Sequence, residues 1–205
     1  MTELYSLNDA EKLVKLSRRS IEFFLHTSKI IKEVPSKKEL MLKRGVFVSL
    51  HTFPERELRG CIGYPLPVKP LWLAVTDCAL KAAFKDPRFI PLTIEEVSQV
   101  VLDVSILTIP TEFKGIKQEL PKKVVIGKHG LIIEKAGESG LLLPQVATEL
   151  KLDSKTFLEE VCWKADLYRD AWLEEDAKIS LFEAQIFKES EPNGKIIEET
   201  LISSD

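Results

Sequence analysis

The sequence predicts an α+β fold, in which a mixed, mostly antiparallel sheet packs against helices. Valine and leucine at positions 46, 48 and 50 alternate with other residues, and a second extended segment, residues 58–64, follows a proline-containing loop. These two segments should form an antiparallel hairpin. Residues 71–84 are apolar nearly all round, which is typical of a buried helix. Strands and helices do not alternate regularly along the chain, and this favours α+β over a doubly wound sheet.

The N-terminal segment predicts a long helix. Asn8-Asp9-Ala10-Glu11 matches a capping box, and Leu13, Val14 and Ile21 follow it at helical spacing. Pro35-Ser36 either ends this helix or begins a lysine-rich connector to the first strand.

The remainder of the chain predicts shorter elements. Before residue 110 they are a proline-rich bend at 65–70, an irregular loop at 86–91, a short helix capped at Thr93 and a strand from Val100 to Ile109. After it they are strands at 124–126, 131–133 and 141–143, a helix from Asp153 or Ser154 to Ala165, and a strand at 178–187. The acidic tail after Glu189 should be frayed.

Composition limits the class of protein. The 205 residues suit one large domain or two small lobes, and long helices in the first half with short hairpins in the middle indicate two unequal lobes. A net charge of -3 does not attract nucleic acid, which disfavours a nucleic-acid partner. Three widely spaced cysteines fit a reducing compartment. Without a signal peptide or a long apolar stretch, the sequence predicts a cytoplasmic protein that does not enter membranes.

Familiar cofactor and metal motifs do not occur in the sequence. It contains neither GxGxxG nor the phosphate-binding GxxxxGK[ST]. Cysteine and histidine are never paired at zinc-ligand spacing. The sequence therefore predicts no cofactor and no metal.

The segment Leu58-Arg59-Gly60-Cys61-Ile62-Gly63 is the candidate working surface. Side chains alternate in a strand, so Leu58 and Ile62 should face the core while Arg59 and Cys61 share the opposite face. A guanidinium beside a thiol favours the reactive thiolate. Gly60 and Gly63 allow a ligand or a backbone to approach closely. Structurally, Cys61 could equally be a packed residue and the glycines could admit a neighbouring helix.

Four further residues are candidates for the same site. Asp103 lies inside an apolar strand, so it is a candidate acid or base; alternatively it forms a salt bridge to Arg59 or Arg88, or lies at a sheet edge facing water. Asp86 and Arg88 flank Pro87, and the rigid loop makes them either a substrate clamp or a local ion pair. His51, at a strand end, is a candidate proton carrier or binding residue, although turn histidines usually face solvent.

The hexapeptide resembles the signature of the AMMECR family. Other similar segments, in the same order, are Gly45–Leu50, Ala82–Phe89, Leu102–Ser105, Gly130–Glu134, Gly140–Ala147 and Cys162–Trp172. The resemblance implies a single α+β domain over residues 1–205, with a larger lobe from both terminal regions, a smaller internal lobe and a cleft between them. It marks Arg59, Gly60 and Cys61 as signature residues without assigning an activity. It also implies Memo-like and radical S-adenosylmethionine proteins as partners.

Three functions remain open at this point. The first is an enzyme, or enzyme component, that uses Cys61 as nucleophile or redox thiol, with Arg59 assisting and Asp103, Asp86 or His51 as acid or base. The second is a binding or adaptor module for a protein or small molecule, with Cys61 structural and Gly60, Gly63 and Arg88 shaping the surface. The third is a nucleic-acid-associated factor, which the acidic charge disfavours.

Overall fold

The computed structural model describes residues 5–35 and 37–200. Contacts divide the chain into two compact units. The first contains the described residues up to Leu107 together with Gln185–Glu199, and the second is built mainly from Thr108–Ala184. Both combine helices with antiparallel strands, which confirms the α+β class.

Regular elements are numbered in chain order. The strands are β1 (Val46–Thr52), β2 (Leu58–Tyr64), β3 (Val100–Leu107), β4 (Thr111–Glu112), β5 (His129–Lys135), β6 (Glu138–Leu142), β7 (Lys178–Glu189) and β8 (Ile196–Glu199). The α-helices are α1 (Leu7–Thr27), α2 (Leu71–Phe84), α3 (Pro144–Glu149) and α4 (Ser154–Lys164). Short 3-10 helices span Lys38–Met41, Glu96–Gln99, Lys117–Lys122 and Ala171–Leu173.

Helix α1 begins earlier and ends earlier than the sequence predicts. Its N-cap is Ser6, whose hydroxyl accepts the backbone N–H of Asp9, so the cap lies before the predicted capping box. It ends where Ser28 adopts a left-handed conformation (φ 55°) and donates its N–H to Phe24. Of the two alternatives for Pro35-Ser36, the one in which this pair ends the helix was therefore wrong, since the connector already begins at Ser28; Ser36 lies outside the described residues.

In the first unit, strands β2, β1 and β3 lie side by side and antiparallel. Val46, Val48 and Leu50 of β1 are fully buried in a core shared with α1 and α2. The predicted hairpin and buried helix are both confirmed. Within the tail, Ile196–Glu199 form β8, which pairs with Ile186–Glu189 of β7, so the prediction of fraying was wrong for this segment; residues 201–205 lie outside the described residues.

In the second unit, β6, β5 and the first half of β7 form an antiparallel sheet, and β4 also pairs with β7. Helix α4 packs on this sheet through Phe157, Leu158 and Val161. The predicted strand at 124–126 is instead an irregular turn, because Val124 and His129 donate their N–H groups to nearby carbonyls of the same segment. Among the described residues, no helix combines the length and apolarity needed to cross a bilayer.

Candidate functional site

The signature hexapeptide forms β2, and its cysteine belongs to a row of polar residues across the sheet. Cys61 pairs with Ser49 of β1, and Ser49 in turn pairs with Asp103 of β3. Directly opposed residues share a face, so these three side chains project together from the face opposite Val48 and Leu50. The Ser49 hydroxyl donates to the Cys61 thiol over 3.0 Å.

The Cys61 thiol is held in its protonated form. Burial raises its pKa above the ordinary value, and this outweighs the opposing effects of the Ser49 hydrogen bond and the Arg88 charge. Thiolate is the nucleophilic form of cysteine, so the pKa shift lowers the reactivity of Cys61 at neutral pH.

Arg59 is bound to a carboxylate and does not activate the thiol. Its Nε and Nη2 each donate to Glu96 over 3.2 Å, and its guanidinium lies 5.9 Å from the ring centroid of Phe89. The side chain is only 11% exposed, and its Nη1 is buried with no acceptor among the described residues. The predicted Arg59–thiol partnership was therefore wrong, since the guanidinium that acts on Cys61 is that of Arg88.

Asp86 and Arg88 form a bidentate ion pair that also holds β2. Arg88 donates through Nε (2.9 Å) and Nη2 (2.7 Å) to the two carboxylate oxygens of Asp86. The same carboxylate accepts the Cys61 N–H over 2.9 Å, and Arg88 Nη2 donates to the Cys61 carbonyl over 3.3 Å. The Arg88 hydrogen bonds hold the pKa of Asp86 well below its usual range, so this buried carboxylate stays ionised.

Asp103 is paired with an arginine that sequence reasoning missed. Nη2 of Arg56, in the β1–β2 loop, lies 2.8 Å from each carboxylate oxygen of Asp103. The expected salt bridge to Arg59 or Arg88 was wrong, because both of those cations are bound elsewhere. His51 Nδ1 lies 3.4 Å from Asp103, and burial lowers the pKa of the imidazole, which favours its neutral form.

Each glycine of the hexapeptide makes room for a neighbour. A Cβ on Gly60 would lie 2.2 Å from the Ala82 carbonyl oxygen of α2, so a side chain there would collide with backbone. A Cβ on Gly63 would lie 2.2 Å from the Phe47 ring, which covers that position. Leu58 was predicted to be a core residue, but it is 40% exposed, whereas Ile62 packs against the core.

Most of the predicted site residues lie close together in the first unit, and the arginines among them are paired with carboxylates. Three arginine–carboxylate pairs lie around the hexapeptide: Arg56–Asp103, Arg59–Glu96 and Arg88–Asp86. The sequence signal for Glu96 was its spacing in Thr93-Ile94-Glu95-Glu96, which predicted only a helix cap. Within the described part of the chain, no group of three His, Cys, Asp or Glu side chains is placed to hold a metal ion.

These features define an α+β protein with an arginine-rich, ion-paired surface around one β-hairpin. The AMMECR1 family model matches residues 14–187, and the chain belongs to that family. A Pyrococcus furiosus protein is 46% identical over 207 residues, covering 97% of this chain and 98% of the relative. A Methanocaldococcus jannaschii protein is 47% identical over 201 residues, covering 97% and 99%.

A solved structure is also similar. The crystal structure of an uncharacterized protein from Pyrococcus horikoshii has a TM-score of 0.88 and 46% identity, covering 93% of this chain and 96% of that one. The similarity therefore extends over nearly the whole length of both chains and includes the fold.

Proposed function

We propose that this protein is a binding module that recognises a carboxylate or phosphate group of a partner through the surface formed by Arg59, Arg88 and Phe89, here called the arginine surface. The observation that carries the proposal is that three carboxylates around the hexapeptide, those of Asp86, Glu96 and Asp103, are each paired with an arginine. General acid–base catalysis needs a group whose pKa lies near the working pH. The depressed pKa of Asp86 and the raised pKa of the Cys61 thiol are the opposite of what a thiol enzyme needs.

The arginine surface retains hydrogen-bonding capacity after its ion pairs are formed. Arg59 Nη1 is buried and has no acceptor among the described residues, although buried donors are normally paired. The Arg88 side chain is 54% exposed, and its guanidinium lies 5.4 Å from the centroid of the same Phe89 ring. Guanidinium groups held in place in this way suit the planar, two-oxygen geometry of a carboxylate or phosphate.

The ion pairs also preorganise the surface. Glu96 fixes the guanidinium of Arg59, and Asp86 fixes that of Arg88, so a ligand does not have to order either long side chain on binding. The Memo-like and radical S-adenosylmethionine proteins implied by the family resemblance are partners that could supply the acidic group.

An NMR titration tests this proposal. The Nε–Hε resonances of Arg59 and Arg88 are followed while succinate, inorganic phosphate or neutral succinamide is added. We expect saturable shifts with the two anions and none with succinamide. Arg59→Lys keeps a positive charge for Glu96 but removes the planar pair of N–H donors, so anion binding should weaken about tenfold. The Cys61→Ser variant should bind the anions as the unmodified protein does.

Arg169→Lys is a matched control. Arg169 is also paired with a glutamate (Glu160, 2.6 Å) and lies 5.6 Å from an aromatic ring, that of Trp163, but it is outside the hexapeptide region. The Arg169→Lys substitution should leave the anion-induced shifts at Arg59 and Arg88 unchanged. Linear, non-saturating shifts at both arginines would contradict the proposal, and so would loss of binding in Cys61→Ser with none in Arg59→Lys.

A further inference from the structure

The first unit contains a cavity that is separate from the hexapeptide. Its volume is about 640 Å³, and it lies between one face of α1, the connector that follows α1, and Trp72 of α2. Pockets that bind small molecules usually have volumes of roughly 300–1,000 Å³. None of its lining residues belongs to the hexapeptide or to the ion pairs around it.

The inner wall of the cavity is apolar. Leu13 and Leu16 of α1, together with Leu40 and Trp72, line it and belong to the core of the first unit. Val34 lines it from the connector and is 64% exposed, although a large aliphatic side chain is usually more stable when covered. A ligand with a hydrocarbon body would bury this surface.

The rim is mainly cationic. Five cations and two carboxylates line the cavity; among the cations, Arg18 is buried against Glu189, and Lys15, Arg19 and Lys37 each have an acidic partner close by. Lys12 is exposed and forms no ion pair with any described residue. Each paired ammonium group also keeps donors that its single carboxylate contact does not use.

Trp72 adds an unmet hydrogen-bonding requirement. The residue is 9% exposed, and its indole Nε1 is buried with no acceptor among the described residues. A buried tryptophan N–H usually has a partner. A polar oxygen of a bound molecule would provide one at this wall.

From these features we infer that the cavity is a second binding site, and that its ligand is a small molecule with an apolar body and an anionic head. The body lies against Leu13, Leu16 and Trp72, and the head lies at the rim near Lys12. Because this site is lined by α1 and the connector, it is independent of the arginine surface and of the function proposed for it.

Dye displacement from the full-length protein tests the inference. Anilinonaphthalene sulfonate, which has an aromatic body and an anionic head, is bound first, and decanoate or decanol is then added as competitor. We expect one saturable dye site, and we expect decanoate to compete at least about fivefold better than decanol, which has the same chain without the charge.

Two pairs of variants locate the site. Lys12→Glu should weaken decanoate binding by about fivefold or more, and Val34→Asp should weaken both competitors. The matched controls are Lys32→Glu and Ile30→Asp, which change exposed residues of the connector that do not line the cavity. All four positions are exposed, so each variant should fold, and a thermal melt checks this.

Each contrary result overturns a stated part of the inference. Failure of decanoate to displace the dye would remove the binding site altogether. Equal competition by decanol would remove the anionic head. Displacement that is unaffected by both Lys12→Glu and Val34→Asp would place dye and competitor outside this cavity.

Discussion

The Asp86 carboxylate and the Arg88 guanidinium together satisfy both backbone polar groups of Cys61, as a neighbouring strand would. Asp86 accepts the N–H of Cys61 and Arg88 donates to its carbonyl, while the two side chains bind each other. Strand β2 pairs only with β1 among the strands of the described residues. The ion pair therefore covers part of an otherwise open strand edge, the kind of edge that proteins must protect from unwanted pairing.

The same arrangement occurs at β3 with different residues. Glu189 accepts the N–H of Leu102 over 3.0 Å, and Arg18 donates to the carbonyl of Val100 over 2.7 Å. Arg18 and Glu189 also form a buried bidentate ion pair. Two arginine–carboxylate pairs thus hold backbone groups of β2 and β3, and this explains why charged side chains are buried beside an apolar core.

Asp86→Asn tests the stabilising role of the Asp86–Arg88 pair. The substitution keeps the shape of the side chain but removes the charge that binds Arg88, so we expect unfolding free energy to fall by about 2 kcal/mol. Urea denaturation measures the change. Asp153→Asn is the control, because asparagine caps a helix about as well as aspartate and Asp153 caps α4. Equal stability of the Asp86→Asn and unmodified proteins would contradict a stabilising role for the Asp86–Arg88 ion pair.

Acid should destabilise the first unit, mainly through the two carboxylates whose pKa values are lowered most in the folded protein, those of Asp77 and Asp86. Burial opposes the shift, but hydrogen bonds from Lys69, Tyr64 and Lys81 outweigh it and lower the pKa of Asp77 to about 2. Asp86 has a lowered pKa as well. Both ionise more readily when folded, so their stabilisation is complete above about pH 4 and is lost as the pH falls towards 2.

Urea midpoints between pH 6 and pH 2.5 measure this dependence. We expect a decrease that begins near the ordinary carboxyl pKa of about 3.9, and a shallower decrease in Asp77→Asn. A midpoint that is constant over this interval, or a slope unchanged by Asp77→Asn, would show that the carboxylate is not stabilised by folding.

Arg18→Leu should be among the most damaging single substitutions in the first unit. It leaves Glu189 buried without a cation and removes the donor to Val100, so we expect a loss of about 3–5 kcal/mol. Adding Glu189→Leu removes the unpaired charge, and the double variant should lose less than the sum of the two single variants. Denaturant unfolding of the unmodified protein, the two single variants and the double variant gives the interaction energy between Arg18 and Glu189. Strict additivity of the two single effects would argue against a shared ion pair.

Gly60→Ala should weaken the packing of the β1–β2 hairpin on α2. The new methyl group would lie 2.2 Å from the Ala82 carbonyl oxygen, and separating β2 from the helix should lower unfolding free energy by about 2–3 kcal/mol. Gly115→Ala is the control, because the atoms nearest to the methyl group there belong to the Phe113 ring, a side chain that can move. Thermal melts compare the two, and equal small effects would mean that α2 does not require glycine at position 60.

Much of the fold could be predicted from local patterns. Alternation at positions 46, 48 and 50 marked the hairpin, because burial of one face leaves an alternating pattern, and the apolar run at 71–84 marked α2, because burial on nearly all sides leaves a continuous apolar stretch. The tail after Glu189 gave no such signal. Its strand, β8, is stabilised by pairing with β7, a distant contact that local polarity does not encode.

The sequence offered the Asp86–Arg88 ion pair as one of two alternatives, but it did not predict the carboxylate partner of Arg59 or the arginine partner of Asp103. Arg59, Cys61, Asp86 and Arg88 do lie close together, whereas the partner of Asp103 is Arg56 from the hairpin loop. Choosing among several arginines requires the loop geometry, because each guanidinium reaches several ångströms from its backbone. The position of Arg59 next but one to Cys61 suggested thiol activation, but Glu96, 37 residues later, holds the guanidinium instead.

The pH dependence of Cys61 alkylation tests most directly whether the hexapeptide is a binding surface or a thiol active site. Native protein is treated with iodoacetamide from pH 6 to pH 10, and the modified peptide is quantified by mass spectrometry; Cys78 and Cys162 are fully buried and serve as internal references. We expect an apparent pKa for Cys61 above the ordinary cysteine value of about 8.5, with slow labelling at pH 7. An apparent pKa below 7, with rapid labelling at neutral pH, would contradict the binding-module proposal and restore Cys61 as a nucleophile.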